Sequence, residues 1–255
     1  MYKILLDAGH GGYDFGSVHG ERIEKDETLN LVLAIGELLE NAGIEVVYTR
    51  TYDKYMTADV RAQIANEENA NLFISIHKNY SEKPNTYSGV QTIVSDSIGL
   101  ENVIAEKIHQ RLNDIGLFSI GIDEINHVDV LKKTKMPAMI IKVGFINTEP
   151  DNMLYDEKFA DIASSIANSI LEVIGTILND EIPTYKYRIQ VGTYRMLSNA
   201  INLQRKLNHM GYSVYLSKEN EYYYVYVGEY YKKEEALTVL NDLNQRGLEG
   251  IVVAL

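Results

Sequence analysis

Apolar and polar positions alternate between two periods along the first 178 residues. Short apolar runs at residues 2–6, 44–49, 71–77, 89–94 and 139–143 have the length of strands. Between them, residues 29–39, 59–69, 98–112 and 159–178 carry apolar positions three and four apart, as a helix does. Glu24, Asp26 and Glu27 suit the N-terminus of the first helix, and Gly43 suits its stop. Strand and helix in alternation predict an α/β fold, a twisted and mainly parallel sheet covered by helices on both faces. Ligand sites on such sheets gather beyond the carboxyl ends of the strands. That rule singles out His10 after the first strand, His77 at the end of the third, and Lys142 on a later one.

The pattern changes after residue 178. Residues 179–184 (NDEIPT) are polar, contain a proline and read as a linker. Two similar stretches follow. YRIQVGTY (187–194) precedes a helical pattern over 199–207, and YYVYVGEY (223–230) precedes one over 234–243. Residues 212–216 and 251–254 supply two more strands. The order is βαββαβ with internal duplication, which predicts a small α+β domain over residues 185–255. Period-two alternation puts Ile189, Val191, Val225 and Val227 on one sheet face, against the helices. It puts Arg188, Gln190, Tyr224 and Tyr226 on the other, where two phenol rings, an amide and a guanidinium suit a sugar.

Charge follows the same division. The formal net charge of the chain is −12. Residues 184–255 hold 9 Lys and Arg against 7 Asp and Glu, so the acidity lies in the first 183 residues. An acidic first domain argues against nucleic acid as a partner, because such binding needs a basic face. No run approaches the roughly 18 uninterrupted apolar residues of a membrane span, so no membrane partner is expected. The N-terminus runs directly into a strand without the pattern of a signal peptide, which predicts accumulation in the cytoplasm. There is no cysteine, so any metal must be held by His, Asp or Glu.

His10 lies in the glycine-rich turn DAGHGG (7–12), Glu24 opens a helix, and His77 closes an apolar strand. Two histidines and a carboxylate make a catalytic zinc site with a position left for water. Each residue alone has an ordinary alternative: a strand-end histidine is often a satisfied core group, and a helix-start glutamate is often a dipole partner. Of the other histidines, His109 and His209 read as helix-surface residues, and His19 and His127 have no assignment.

The motifs taken together narrow the choice. DAGHGGYDFGSVHG (7–20), IEKDETLNL (23–31), GIEVVYTR (43–50), RAQIAN (61–66), LFISIHKN (72–79), GVQTIV (89–94) and PAMIIKVGFINTEPD (137–151) occur in this order. They resemble the zinc-dependent N-acetylmuramoyl-L-alanine amidases of the family 3 type. The resemblance implies Zn²⁺ held by His10, Glu24 and His77. It implies hydrolysis, in peptidoglycan, of the amide between the lactyl group of N-acetylmuramic acid and the L-alanine of the stem peptide. It also implies a glutamate general base in the segment PA-x-x-x-E-x-GF, where this chain has Lys142. An ammonium accepts no proton, and at roughly 4–5 Å from Zn²⁺ it is repelled by several kcal/mol. Three readings of Lys142 stay open: an introduced inactivating change, a natural loss leaving a peptidoglycan-binding protein, or another carboxylate, Glu149 or Glu124, acting instead. In every case the expectation is activity far below that of a Lys142→Glu chain.

Residues 185–255 resemble a SPOR domain, the sporulation-related peptidoglycan-binding repeat, because both VGxY turns and both following helices are present. That resemblance implies binding to glycan strands stripped of stem peptides, with Arg188, Gln190, Tyr224 and Tyr226 as the candidate contacts. The same βαββαβ order occurs in RNA-binding modules, but the basic, aromatic signature of those modules is missing here. The expected whole is a wall hydrolase fold tethered by its C-terminal module. It would reach the wall on lysis, as a phage endolysin or a mother-cell lytic enzyme would.

Overall fold

In a computed structural model, residues 2–125, 127–178, 187–212, 214–230 and 233–254 are described. The expected linker, 179–184, lies outside the described residues, as does the side chain of His209. The chain forms two compact units, one of residues 1–118 with 122–172, the other of residues 173–255 with 119–121.

The first unit begins with β1 (Lys3–Ala8), a hairpin of β2 (Val18–His19) and β3 (Arg22–Ile23), and α1 (Glu24–Asn41). It continues through β4 (Glu45–Tyr48), α2 (Ala58–Glu67), β5 (Leu72–Asn79), β6 (Val90–Val94) and α3 (Leu100–Asp114). β7 (Ser119–Glu124), α4 (Asp129–Lys133), β8 (Ala138–Phe145), α5 (Glu149–Glu157) and α6 (Phe159–Leu178) follow, with residues 119–121 of β7 and 173–178 of α6 belonging to the second unit. The strand order is β7-β6-β8-β5-β1-β4. The pairs β1–β4, β1–β5 and β5–β8 are parallel, and β6 runs antiparallel to β8. This is the mainly parallel, helix-covered sheet expected from the alternation.

One sheet face is closed by Leu5, Phe73, Ile93 and Ile140 beneath Ala62 and Ala65 of α2 and Val130 and Leu131 of α4. α1 and α3 pack on the other face. Parallel strands buried on both faces read as continuous apolar runs, as KILLDA and LFISI do. By length and composition α6 is apolar enough to cross a membrane, but half of it is buried. Its buried residues Ile162, Ile166, Ile170 and Ile174 recur at helical spacing, as in a core helix.

The second unit holds β9 (Tyr187–Tyr194), α7 (Leu197–His209), β10 (Val214–Glu219), β11 (Tyr222–Tyr230), α8 (Lys233–Gln245) and β12 (Ile251–Ala254). The strands run β12-β9-β11-β10 with β9 antiparallel to both neighbours, the expected βαββαβ arrangement. One residue departs from the expected alternation. Gly192, not Val191, stands opposite Val225, because the register shifts between Val225 and Tyr226. A bulge of this kind inserts one unpaired residue and breaks strict period two.

A further correction concerns His109. It is fully buried in α3, with Nε2 2.8 Å from the Thr92 hydroxyl, and is not a surface residue. It falls on the apolar stripe with Ile104, Ala105, Ile108 and Leu112. Burial pushes its imidazole down to about 3, so it is neutral at ordinary pH.

Candidate active site

β1 and β5 lie side by side and parallel, so the residues that follow them emerge at one edge of the sheet. His10 follows β1, and His77 lies near the end of β5. The hairpin β2–β3 returns the chain to the same edge and starts α1 at Glu24. The backbone amides of Glu24 and Lys25 bond to Ser17 O (3.0 Å) and Phe15 O (3.2 Å), which fixes that helix start.

The three side chains meet there. Glu24 Oε1 lies 3.2 Å from His10 Nε2 and 3.1 Å from His77 Nδ1. One ligand atom from each of the three falls within 4.8 Å of the other two. Tetrahedral zinc at about 2.0–2.1 Å from each donor places donors about 3.3 Å apart, close to the two Glu24–histidine separations, so the donor set suits that ion. The carboxylate is itself held, by the backbone amides of Ser17 and Lys78, each at 2.8 Å. Burial pushes Glu24 up, but hydrogen bonds from His10 and His77 outweigh it and leave the carboxyl far below the usual range. His10 is shifted the other way: burial lowers it, and contacts with Glu24 and Asp14 raise it by more.

The surroundings explain the motifs. His10 adopts a left-handed backbone (φ 60°), and its Nδ1 lies 2.9 Å from Asp14 Oδ2, which turns Nε2 toward the cluster. A Cβ on Gly9 would fall 2.4 Å from the His77 ring, and one on Gly16 would fall 2.6 Å from the His10 ring. These two glycines are therefore required by close approach. Beneath the turn, Asp7 is buried and bonded to Thr49 (2.7 Å), Ser75 (2.6 Å) and Arg61. Burial raises the Asp7 carboxyl, but Arg61 and the hydroxyls together hold it below its ordinary value. Arg61 also donates to the carbonyls of Ala8 and His10, both at 2.6 Å. Arg50 donates to those of Ala8 (3.0 Å), Gly9 (2.9 Å) and Lys25 (2.7 Å). Asp7, Asp14, Arg50 and Arg61 all lie in the sequence motifs, but their supporting roles become visible only in the fold.

Lys142 is the Cα partner of His77 across β5–β8, and Gln91 is its partner across β6–β8. Laterally paired residues share a sheet face, so His77, Lys142 and Gln91 form a row about 4.8 Å apart per strand. The same face carries Phe73, Ile140 and Ile93 of the core under α2 and α4, and the row continues it toward the site edge. Gln91 bridges Asn79 (2.8 Å) and Asp123 (2.7 Å). Glu124 is placed elsewhere: it accepts from Ser97 N, beyond Val94, and Val94 pairs with Met139 at the opposite end of β8. Glu149 is exposed at the start of α5. Neither carboxylate joins the cluster.

On the C-terminal unit, Tyr224 and Tyr226 stack at 6.2 Å with 14° between their planes. The Arg188 guanidinium lies 5.8 Å from the Tyr226 ring and 5.9 Å from that of Tyr215. Arg188, Gln190 and Tyr224 are half-buried, while Tyr226 is buried. The face is therefore less open than the alternation implies, and Tyr215 belongs to it.

Residues 4–172 match the family described as N-acetylmuramoyl-L-alanine amidase, and residues 183–254 match the SPOR domain. The sporulation-specific N-acetylmuramoyl-L-alanine amidase of Bacillus subtilis (strain 168) is 28% identical over 225 residues, 86% of each chain. The endolysin of Bacillus phage SPP1 is 32% identical over 182 residues, 68% of this chain and 67% of that one. Among solved structures, the catalytic domain of the amidase CwlV from Bacillus (Paenibacillus) polymyxa is 30% identical with a TM-score of 0.63. That match covers 69% of this chain and 99% of the other.

Proposed function

The chain belongs to the N-acetylmuramoyl-L-alanine amidase family and carries a SPOR domain, and from that premise we propose a division of labour between its parts. The first domain addresses the amide between N-acetylmuramic acid and L-alanine, with Zn²⁺ held by His10, Glu24 and His77. The second holds the glycan strand through Arg188, Gln190, Tyr224 and Tyr226. Lys142 leaves the first domain strongly impaired as a hydrolase. The observation that carries this reading is the convergence of His10, Glu24 and His77 at one strand edge with Lys142 in register beside His77.

When bound, Zn²⁺ supplies a Lewis acid that polarises the lactyl carbonyl and makes a water more acidic. The chain's own groups supply the rest. Asp14 orients His10, and the Ser17 and Lys78 amides hold the Glu24 carboxylate in place. Hydrolysis also needs a group that takes a proton from water and returns one to the leaving amine. In the family that group is the glutamate at the position of Lys142, and an ammonium cannot take the first proton. Restoring the carboxylate should restore the chemistry. Mass analysis of purified peptidoglycan after treatment with the Lys142→Glu chain should find stem peptides released with a free N-terminal L-alanine. Release of intact disaccharide-peptides instead would refute an amidase.

A further inference from the structure

Lys142 is the one half-buried residue in the otherwise buried strand β8, and its neighbours Ile141 and Val143 are wholly buried. Among the described residues, its ammonium has no hydrogen-bond or ion-pair partner. Other lysines near the site are all engaged. Lys25 bonds to Asp53 (2.7 Å) and to Gly12 O (2.9 Å), and Lys78 pairs with Glu27 at 3.2 Å. A half-buried cation left without an anion beside a metal-binding triad is a receptor for one, since an unpaired buried charge is costly.

We infer that Lys142, with the triad, makes this site a receptor for the lactyl carboxylate that amidase action leaves on N-acetylmuramic acid. The argument rests on the reading of the site given above, and it specifies the ligand. The amide bond and the carboxylate produced from it occupy the same place on the sugar, so a site that addresses one meets the other. A glutamate at position 142 repels that carboxylate and favours release of product. A lysine attracts it, and gives the uncharged amide no comparable gain. A carboxylate also has two oxygens, one for an ion held by His10, Glu24 and His77 and one for the ammonium. The substitution thus turns the preference of the site from the bond to be cut toward its product. Glycan stripped of stem peptides is also what a SPOR domain is expected to hold, so both domains would read the same cleaved strand.

The test is binding to the full chain with zinc, followed by ligand-observed NMR or calorimetry. The probes are N-acetylmuramic acid, its lactyl amide, and a stem tetrapeptide that has carboxylates but no lactyl group. The expected result is that the acid binds roughly tenfold or more tighter than the amide. Lys142→Met should abolish that ratio and Lys142→Glu should invert it, with zinc content unchanged in both. Equal affinity for acid and amide in the unmodified chain overturns the inference, as does a tetrapeptide that binds as well as the acid. Hydrolysis by Lys142→Glu is read separately. A restored amidase without acid preference in the parent sinks only the receptor, and acid preference without restored hydrolysis sinks only the amidase reading.

Discussion

At the scale of single residues, buried charge decides most of the behaviour. His109 is neutral in the fold, with its imidazole pushed down to about 3. In the unfolded chain a histidine titrates near 6.5. Above that pH both states are neutral and His109 costs nothing. As pH falls below 6.5 the unfolded state alone gains the proton, so stability is lost, by about 2 kcal/mol at pH 5. A His109→Gln chain should lose stability less steeply between pH 6.5 and 5 in urea titrations, whatever its stability at pH 7. Asp7 runs the opposite way. Its carboxyl is held below the ordinary value, so its contribution is complete above about pH 4 and fades as pH falls through the lowered value. Arg61→Met removes its charge partner and should cost about 3–5 kcal/mol in denaturant unfolding. The sequence already marked Lys142, because a charged residue inside PAMII-x-VGF stands out. The burial of His109 was equally present in the 3.6 period of α3, but a polar residue on an apolar stripe is easily read as its margin.

At the scale of elements, the site depends on turns more than on strands. Gly9 passes so close to the His77 ring that Gly9→Ala must move one of them. The expected outcome is a zinc affinity at least roughly tenfold weaker with the helical content kept, read by competition with a chelating dye. Unchanged affinity would mean that His77 is not a ligand. The strands and long helices were legible from periodicity, and so was the expectation that ligands gather at the carboxyl edge. β7, α4, α5 and the β2–β3 hairpin were not. SIGIDE alternates, yet its glycine and acidic residues disguise a strand, and the two-residue hairpin strands are too short for any period to register. The supporting arginines escaped for a related reason. Arg50 and Arg61 act on backbone carbonyls far away in sequence, and no local pattern announces such a partner.

At the scale of the whole molecule, two modules of different families, an amidase and a SPOR domain, each bear on peptidoglycan. A chain ending at residue 178 should keep its zinc stoichiometry and lose retention on glycan stripped of stem peptides, measured by co-sedimentation. Undiminished retention would place wall binding in the first domain alone. The central proposal is narrower: Lys142 impairs hydrolysis at the cluster of His10, Glu24 and His77. Dye release from labelled, purified peptidoglycan, comparing the parent chain with Lys142→Glu at matched zinc, tests it directly. The account predicts release by the glutamate chain and at least roughly a hundredfold less by the parent, the usual loss on removing a general base. Equal release by the two would contradict it and would move the general base to another residue.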